Sequence, residues 1–368
     1  MADNHLLYCI ALSMIPGIGS KTARKLISLF GSPEQVFREK KDVLKKIPFI
    51  GNQLVVTIAN KDILIKADKE INHLIRQNIQ ILYFTDPGYP ARLNDCPDGP
   101  IIIHVKGKAN LNYKRALSIV GTRSPTSYGT EVCRKLISEI SAENQSVAIV
   151  SGLAYGIDIC AHKSALRYGQ LTVAVLGHGL GFLYPGAHRP IAGKIQESGA
   201  LITDFAYGEK PERQNFIKRN RIIAGMSDAT LVIESGTRGG ALLTAQMADS
   251  YNKDVMAFPG RTSDPMSSGC NKMIKEHRAT MIENWQDVKY FMGWDDIPAK
   301  TIQRELFQSY SDDENLILRI LEKEGESSID MICQQTGMPV KKISPLLLNL
   351  EFANEVIPLP GDRYKLDR

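Results

Sequence analysis

Short apolar segments alternate with helical patterns through the middle of this chain, and this alternation restricts the fold more than any other feature. Nine β-like segments are predicted, at residues 79–84, 101–105, 117–120, 147–150, 172–176, 201–203, 230–233, 255–258 and 280–282. Each of them has at most one polar residue, and such predominantly apolar segments are typical of parallel strands buried on both faces. Helical patterns between them complete βαβ units. The sequence therefore predicts an α/β fold with a Rossmann-like, doubly wound, mostly parallel sheet.

Glycine-rich and basic segments follow four of these predicted strands. They are residues 121–123, 151–156, 177–181 and 235–240. Because the carboxyl ends of parallel strands meet at one edge of an open sheet, we expect these segments to lie near one another. Ligands of such sheets bind in a crevice at that edge. The sequence therefore predicts the ligand site there.

A basic run with one aromatic residue precedes the seventh predicted strand. The side chains with binding potential are Phe216, Lys218, Arg219 and Arg221. Together with Arg123, which follows the strand at 117–120, these cations are predicted to contact phosphates. Phe216 is predicted to stack on a base, a contact that tolerates any sequence and contributes roughly 1–3 kcal/mol. The set favours single-stranded nucleic acid bound without sequence preference.

A glycine-rich turn at residues 235–240 joins that strand to an apolar helix. The first turn of a helix has unpaired N–H groups and the positive end of the helix dipole, so it can hold an anion. Gly239 and Gly240 would let a phosphate approach the backbone closely, because they carry no side chain. A tight βα turn beside a solvated charged face is the alternative interpretation.

Residues 1–78 carry only helical patterns and are predicted to form a SAM-like helix–hairpin–helix domain. The turn I-P-G-I-G at 15–19 joins two helical segments, and I-P-F-I-G recurs at 47–51 with Phe49 in place of glycine. Contact with the backbone of a nucleic-acid duplex is one interpretation of these hairpins. Packing alone is the other, and the eroded second copy favours it. The lysines within 40–46 are interpreted as a solvated helix face.

The sheet domain is predicted to span residues 79–297, followed by a linker at 298–311. Three helices and a β-hairpin within 312–368 then indicate a winged helix. In its first helix the apolar side chains predicted to point inward are Leu316, Ile317, Ile320 and Leu321. Winged helices often bind duplex DNA, but Lys341 and Lys342 are the only basic residues of the third helix. A protein partner is therefore an equal alternative.

Composition is compatible with a local nucleic-acid site. The chain has 368 residues, 45 of them basic and 40 acidic, which gives a formal net charge of +5. This mild excess permits a basic patch without requiring one. Its six cysteines form no C-x-x-C pair and no zinc spacing. A signal-peptide pattern and an apolar run of ~18 residues are both missing. We expect a cytoplasmic protein with no membrane contact, metal or cofactor.

Patterns for catalysis are weak. A Walker A motif is missing, and G-x-G-x-G at 177–181 departs from the dinucleotide fingerprint. Asp158 and His162 stand four residues apart on a predicted helix, where a capping aspartate and a buried histidine are the usual explanation. Glu234 is the most enzyme-like residue, because it directly precedes S-G-T-R-G-G. We predict no catalytic residue.

Six ordered motifs in residues ~80–285 resemble those of the bacterial DNA-processing protein family DprA (Smf). In chain order they are I-V-G-T-R-S-P-T-S-Y-G, S-G-L-A-Y-G-I-D-I-C-A-H, A-V-L-G-H-G-L-G-F-L-Y-P, F-I-K-R-N-R-I-I-A-G-M-S, V-I-E-S-G-T-R-G-G-A-L-L-T-A, and F-P-G with G-C-N. The resemblance implies a non-enzymatic protein that binds and protects single-stranded DNA. It also implies loading of the RecA recombinase during natural transformation, and a homodimer formed through the sheet domain.

The resemblance also implies a basic DNA-binding pocket. Its residues correspond to Arg123, Ser151, Gly152, Phe216, Arg219, Asn220, Arg221, Gly239 and Gly240 of this chain. The chain departs from the family pattern at Ile217, where proline is expected, at Gly239–Gly240–Ala241, where hydroxyls are lost, and at Arg278, where glycine is expected.

An enzyme is the alternative function. The turn E-S-G-T-R-G-G is similar to the nucleotide-binding P-G-G-x-G-T-x-x-E turn of Rossmann-like nucleoside monophosphate phosphoribohydrolases. In this chain, however, Ala241 and Leu242 stand where the glutamate of that turn would follow. The basic run around Arg219 is also foreign to that enzyme family.

Overall fold

A computed structural model of the protein describes residues 4–294, 310–353 and 355–366. The chain divides into two compact units, residues 1–294 and 295–368, which are described separately. The predicted boundary at residue 78 falls inside the first unit and stays a prediction. Residues 298–309 of the predicted linker lie outside the described residues.

The first unit begins with six short helices. They are α1 (Asn4–Ser13), α2 (Ser20–Phe30), α3 (Pro33–Arg38), α4 (Lys41–Leu44), α5 (Asn52–Ile58) and α6 (Asp62–Arg76). In α2 the buried residues Ala23, Leu26 and Ile27 recur at helical spacing and form its inward face. Gly17, in the turn before α2, has a φ of +88°, which glycine adopts without steric cost. These helices share one apolar core, as the helix–hairpin–helix prediction requires.

A nine-stranded sheet follows, in the spatial order β1-β2-β6-β5-β4-β3-β7-β8-β9. The strands are β1 (Gln80–Tyr83), β2 (Ile102–Gly107), β3 (Ala116–Val120), β4 (Ala148–Ser151), β5 (Thr172–Val175), β6 (Ala200–Thr203), β7 (Ala229–Val232), β8 (Asp254–Ala257) and β9 (Thr280–Met281). Strands β3 to β9 pair in parallel, whereas β2 pairs antiparallel with both β1 and β6. The predicted mostly parallel sheet is confirmed.

Helices cover both faces of this sheet. They are α7 (Ala91–Asn94), α8 (Ser127–Ala142), α9 (Ile157–Arg167), α10 (Arg189–Ser198), α11 (Arg213–Gly225), α12 (Gly240–Ser250), α13 (Ser268–Lys275) and α14 (Trp285–Met292). Successive side chains of a strand point to opposite faces. Accordingly, Leu117 and Ile119 of β3 join the core under α8, while Val120 joins the core that contains Ile222 of α11. The sheet is therefore doubly wound.

The order in which successive strands are added to the sheet reverses at β3. From β3 the chain proceeds through β4 and β5 to β6 on one side, and it then returns to place β7, β8 and β9 on the other. The loops after β3 and β7 consequently diverge and leave a crevice between them. In open α/β sheets, this switch point is where ligands bind.

The second unit contains three helices and a three-stranded sheet of order β10-β12-β11. Its elements are α15 (Asp312–Glu324), β10 (Glu326–Ser328), α16 (Ile329–Thr336), α17 (Val340–Phe352), β11 (Val356–Leu359) and β12 (Arg363–Leu366). This is the predicted winged helix. One detail was wrong: Leu316 is 40% exposed, because only Ile317, Ile320 and Leu321 share the inward face of α15.

Candidate nucleic-acid interface

A cleft of about 1080 Å³ occupies the switch point of the sheet. The loops after β3 and β7, the first turns of α11 and α12, and the segment around Tyr184 line it. Four arginines lie among its lining residues, namely Arg123, Arg213, Arg219 and Arg238, whereas Asp158 is the one carboxylate among the described residues that line it. The cleft therefore carries excess positive charge, which favours a polyanion.

The N-terminus of α12 opens into this cleft. Its N-cap residue is Gly239, and no side chain caps the helix. The N–H groups of the first turn are thus available to an anion, and the helix dipole adds partial positive charge there. The predicted anion site therefore has the local geometry that it needs.

The fold itself does not require glycine at positions 239 and 240. A Cβ built on Gly239 would lie 3.4 Å from Ser235 Oγ, and one on Gly240 would lie 3.7 Å from Asn220 Nδ2, both ordinary contacts. Gly239 has an extended backbone with φ of 174°, which any residue adopts. The protein therefore leaves room for a Cβ atom at both positions.

An aromatic pair forms one wall of the cleft. The half-buried Phe216 ring lies 5.6 Å from the ring of Tyr184, measured between centroids, and Tyr184 is 45% exposed. The guanidinium carbon of the exposed Arg123 lies 5.9 Å from the Phe216 centroid. His178 positions Tyr184, because its Nε2 accepts the Tyr184 backbone N–H at 3.2 Å. Burial lowers the pKa of His178, which keeps that nitrogen an acceptor at neutral pH.

Arg219 lies at the floor of the cleft and is only 3% exposed. Its Nη1 donates to the carbonyl oxygen of Gly152 at 2.7 Å and also to that of Val175. Burial lowers the pKa of Arg219 to about 10, while the carboxylate of Asp158 acts in the opposite direction. The guanidinium therefore remains charged at neutral pH and holds together the ends of two strands.

Gly152 is required by this arrangement. A Cβ at position 152 would lie 2.6 Å from Arg219 Nη2. Ser151, the residue before it, is fully buried, and its hydroxyl donates to the carbonyl oxygen of Ile119 at 2.7 Å. Neither residue lines the cleft. Their predicted contact with DNA stays a prediction, and a Ser151 contact would require breaking this hydrogen bond.

Of the remaining residues of the basic run, one lines the cleft and two do not. Asn220 lines the cleft and ties α11 to α12 through a 3.3 Å bond from its Nδ2 to the Gly240 carbonyl oxygen. Arg221 instead pairs with Asp204 and donates to the carbonyl oxygen of Asp98, and Lys218 is exposed but does not line the cleft. Phosphate contacts by Arg221 and Lys218 stay predictions.

Among the cleft residues that the site prediction did not name are one aromatic residue and two arginines, namely Tyr184, Arg213 and Arg238. Arg213 stands three positions before Phe216, so helical spacing places both on one face of α11. Arg238 lies inside the glycine-rich turn already singled out. Tyr184 belongs to the motif A-V-L-G-H-G-L-G-F-L-Y-P, but no spacing in the sequence indicates that its ring lies beside Phe216.

The residues considered for catalysis have structural partners. Glu234 is 1% exposed, and it accepts hydrogen bonds from Thr126 N at 2.9 Å and Thr126 Oγ1 at 2.7 Å. Asp158 accepts the N–H groups of Gly152 at 3.2 Å and Ala154 at 3.4 Å. Both carboxylates therefore fix loops at the cleft instead of pointing into it unpaired.

The histidine beside Asp158 on α9 is also interior. Nδ1 of the fully buried His162 lies 2.8 Å from Thr172 Oγ1. Burial lowers the pKa of His162 to about 3, so the ring is neutral at neutral pH. Among residues 4–294, 310–353 and 355–366, no three His, Cys, Asp or Glu side chains are grouped to hold a metal ion. In those same ranges no helix has the length and apolar character of a membrane span.

Three family models match this chain in succession. Residues 10–60 match the SAM-like helix-hairpin-helix tandem, residues 80–293 match DNA recombination-mediator protein A, and residues 300–362 match the DprA winged helix domain. The second match alone covers more than half of the chain.

Curated relatives agree with these matches. The chain is 32% identical to Protein Smf of Escherichia coli over 291 residues, which cover 76% of this chain and 75% of the relative. It is 31% identical to a putative DNA processing protein DprA of Mycobacterium tuberculosis over 323 residues, which cover 83% of this chain and 81% of the relative.

Two solved structures share the fold. The DNA processing protein A of Streptococcus pneumoniae has a TM-score of 0.64 at 29% identity, covering 78% of this chain and 97% of that one. The Helicobacter pylori protein, described for its unique single-stranded DNA binding mode, has a TM-score of 0.53 at 25% identity, covering 59% of this chain and 96% of that one. The family model that matches residues 80–293 and the two curated relatives, both more than 30% identical, show that the chain belongs to the DNA recombination-mediator protein A (DprA, Smf) family.

Proposed function

We propose that this protein binds single-stranded DNA without sequence preference in the switch-point cleft and passes the strand to RecA. The observation that carries the proposal is the wall of Arg123 and Phe216 beside the uncapped, glycine-headed N-terminus of α12. Phosphates would approach Gly239 and Gly240, while bases would stack on Phe216 and Tyr184. The single-stranded DNA binding described for the Helicobacter pylori relative supports this assignment.

The cellular role rests on family membership and not on the cleft. In this role the protein protects incoming single-stranded DNA in the cytoplasm during natural transformation and loads RecA onto it. It acts as a homodimer formed through the sheet domain, and it performs no chemistry itself. The surroundings of Glu234 support the non-enzymatic part, because both carboxylate oxygens accept hydrogen bonds from Thr126. The phosphoribohydrolase alternative has no comparable support in the cleft.

The winged helix has a charge that favours a protein partner over duplex DNA. Residues 312–366 contain ten acidic and six basic residues. Of the two lysines on α17, Lys342 already forms a 2.6 Å ion pair with Asp313. DNA phosphates would be repelled by the net negative charge of this unit, since affinity for duplex DNA depends on cations.

RecA loading can be tested with single-stranded DNA that is precoated with a single-stranded DNA-binding protein. RecA then nucleates slowly, and its ATP hydrolysis shows a lag. We expect the wild-type protein to shorten that lag and the Arg123→Ala/Phe216→Ala variant to leave it unchanged. If the wild type binds bare oligo-dT tightly but does not shorten the lag, the RecA role is refuted and the DNA-binding role is retained.

A test for the enzymatic alternative uses the same preparations. Wild-type protein is incubated with nucleoside 5′-monophosphates, and released free base is measured by chromatography. We expect no release above the buffer control. Base release that disappears in a Glu234→Gln variant would contradict the non-enzymatic assignment.

A further inference from the structure

The loop after β5 contains the motif G-H-G-L-G at residues 177–181 and continues to Tyr184. We call residues 177–184 the Tyr184 loop. The motif departs from the dinucleotide fingerprint, so that fingerprint does not explain its glycines. At the other end of the loop, the Tyr184 ring forms the aromatic wall of the cleft together with Phe216. Whatever holds the loop therefore sets the position of this wall.

The segment after β6, residues 205–209, lies directly against the Tyr184 loop, and we call it the support segment. A Cβ on Gly179 would collide with the carbonyl oxygen of Ala206. A Cβ on Gly181 would lie 2.6 Å from Cε1 of Tyr207, which is closer than two carbon atoms can approach. Because glycine has no side chain, these two positions of the motif allow the two segments to touch.

Backbone hydrogen bonds fix the contact between the two segments. The N–H of Gly179 donates to the carbonyl oxygen of Glu209 at 2.9 Å. The N–H of Gly181 donates to the carbonyl oxygen of Tyr207 at 3.0 Å. Within the loop, Nε2 of His178 accepts the N–H of the tyrosine at its end at 3.2 Å. An unbroken series of short bonds thus connects the support segment to the cleft wall.

The helical head holds the support segment from the side away from the loop. Oε1 of the half-buried Glu70, on α6, accepts the N–H of Tyr207 at 2.6 Å. One turn later on the same helix, the His73 ring lies 4.2 Å from the Tyr207 ring, measured between centroids. Tyr207 and Leu180 both pack against the apolar core of the six N-terminal helices. The head therefore contacts both the support segment and the loop.

We propose that Glu70 is a positioning residue for the nucleic-acid cleft, because it holds Tyr207 and, through the Tyr184 loop, keeps the ring of Tyr184 in place to stack on a base. This inference rests on the function proposed for the cleft. Glu70 does not line the cleft, and a carboxylate would repel a phosphate. Its hydrogen bond is of the strong kind, since the acceptor is charged and the distance is short.

The first test is a double-mutant cycle with Glu70→Ala and Tyr184→Ala. Fluorescence anisotropy measures the affinity of the full-length protein for labelled oligo-dT. Glu70→Gln is the matched control, because it removes the same charge but keeps an oxygen that can accept the N–H of Tyr207. Circular dichroism checks that each variant folds. If Glu70→Ala does not fold, Leu180→Ala takes its place in the cycle, because it removes the contact between the loop and the core of the head.

We expect Tyr184→Ala to weaken binding about tenfold, within the range for loss of one base–aromatic contact. Glu70→Ala should weaken it about threefold, because the ring is retained but held less firmly. In the Tyr184→Ala background, Glu70→Ala should cause no further loss. Glu70→Gln should bind at least as tightly as the wild type, since removal of a negative charge alone favours binding of a polyanion.

Three results of this cycle would overturn the proposal. The first is a Glu70→Ala variant that binds oligo-dT as tightly as the wild type. The second is an equal loss of affinity with and without the Tyr184 ring, which would mean that Glu70 acts by another route. The third is a Glu70→Gln variant as weak as Glu70→Ala, because charge and not the hydrogen bond would then be responsible.

Hydrogen–deuterium exchange of the DNA-free protein tests the same contact without a ligand. Glu70→Ala should speed exchange in a peptide that covers residues 177–184, where Gly179 and Gly181 donate to the support segment. Glu70→Gln should exchange like the wild type. Unchanged exchange in Glu70→Ala would overturn the proposal at any affinity. Faster exchange in a protein whose wild type does not bind oligo-dT would refute the cleft function and retain the role of Glu70 in holding the loop.

Discussion

Arg123 and Arg219 hold their guanidinium carbons at the same distance, 5.9 Å, from the centroid of Phe216, but their surroundings are opposite. Arg123 is exposed on the loop after β3 and lines the cleft. Arg219 is buried below the ring and donates to the carbonyl oxygens of Gly152 and Val175. The two arginines of this basic site therefore have different expected roles. Arg123 is positioned to neutralise a bound anion, whereas Arg219 stabilises the floor of the cleft.

This difference changes how the basic run is interpreted. From the sequence alone, every basic residue of the run is as good a candidate for a phosphate contact as any other. In the structure, Arg219 and Arg221 have internal partners, while Arg213 of the same helix faces the cleft. We therefore expect substitutions of the buried arginines to act on stability, and substitutions at the cleft surface to act on affinity.

The largest effect is expected for Arg219→Ala. The substitution removes the donor from two buried carbonyl groups and leaves Asp158 without its nearby positive charge. Removal of one partner from a buried charged network typically lowers the free energy of unfolding by 3–5 kcal/mol. Urea unfolding should show that loss, whereas Arg123→Ala should change the free energy of unfolding by less than about 0.5 kcal/mol. Equal stability of the two variants would contradict a structural role for Arg219 and a surface position for Arg123.

A smaller effect, on binding alone, is expected for Phe216→Ala. Loss of one base–aromatic contact should weaken binding to oligo-dT by roughly 1–3 kcal/mol, which is about five- to 150-fold. Phe216→Tyr keeps the aromatic face and is the matched control, with affinity near that of the wild type. Titration by fluorescence anisotropy distinguishes these variants, and an alanine variant with unchanged affinity would rule out stacking at this position.

A still smaller effect is expected for Gly239→Ala. A methyl group fits at position 239, so the free energy of unfolding should stay within about 0.5 kcal/mol of the wild type. The same methyl group would obstruct a phosphate at the N-terminus of α12, and affinity for oligo-dT should fall about tenfold, or ~1.4 kcal/mol. Gly152→Ala provides the contrast, because its Cβ would collide with Arg219 and lower stability instead. Urea unfolding measures the stability of both variants, and fluorescence anisotropy measures their affinity for oligo-dT. A Gly239→Ala variant that binds oligo-dT as tightly as the wild type would contradict a phosphate at the N-terminus of α12.

The sequence carries enough information to predict the sheet and the position of the cleft. Strands β3, β4, β5 and β7 are buried at every residue, and each contains only one polar residue, so the sequence shows them as predominantly apolar segments. The glycine-rich turns after them then mark the edge at which a ligand binds. Fold class and the general location of the site follow from these local patterns.

The roles of individual cations could not be predicted in the same way. Helix α11 is polar on several faces near its start, so its periodicity does not indicate which arginine points inward. The acceptors of Arg219 lie 67 and 44 residues away along the chain, at Gly152 and Val175. Tyr184 is likewise brought to Phe216 only by the folded loop. These pairings depend on tertiary structure, and no spacing in the sequence encodes them.

The most direct test of the central claim is the salt dependence of oligo-dT binding by the wild type and by Arg123→Ala. If the cleft at the switch point holds the DNA backbone, wild-type binding should weaken steeply with salt. The variant should bind more weakly, with a slope of log affinity against log salt that is shallower by about 0.7, the value for one phosphate contact on a single strand. Identical affinity and slope for the two proteins would show that the strand does not lie in this cleft.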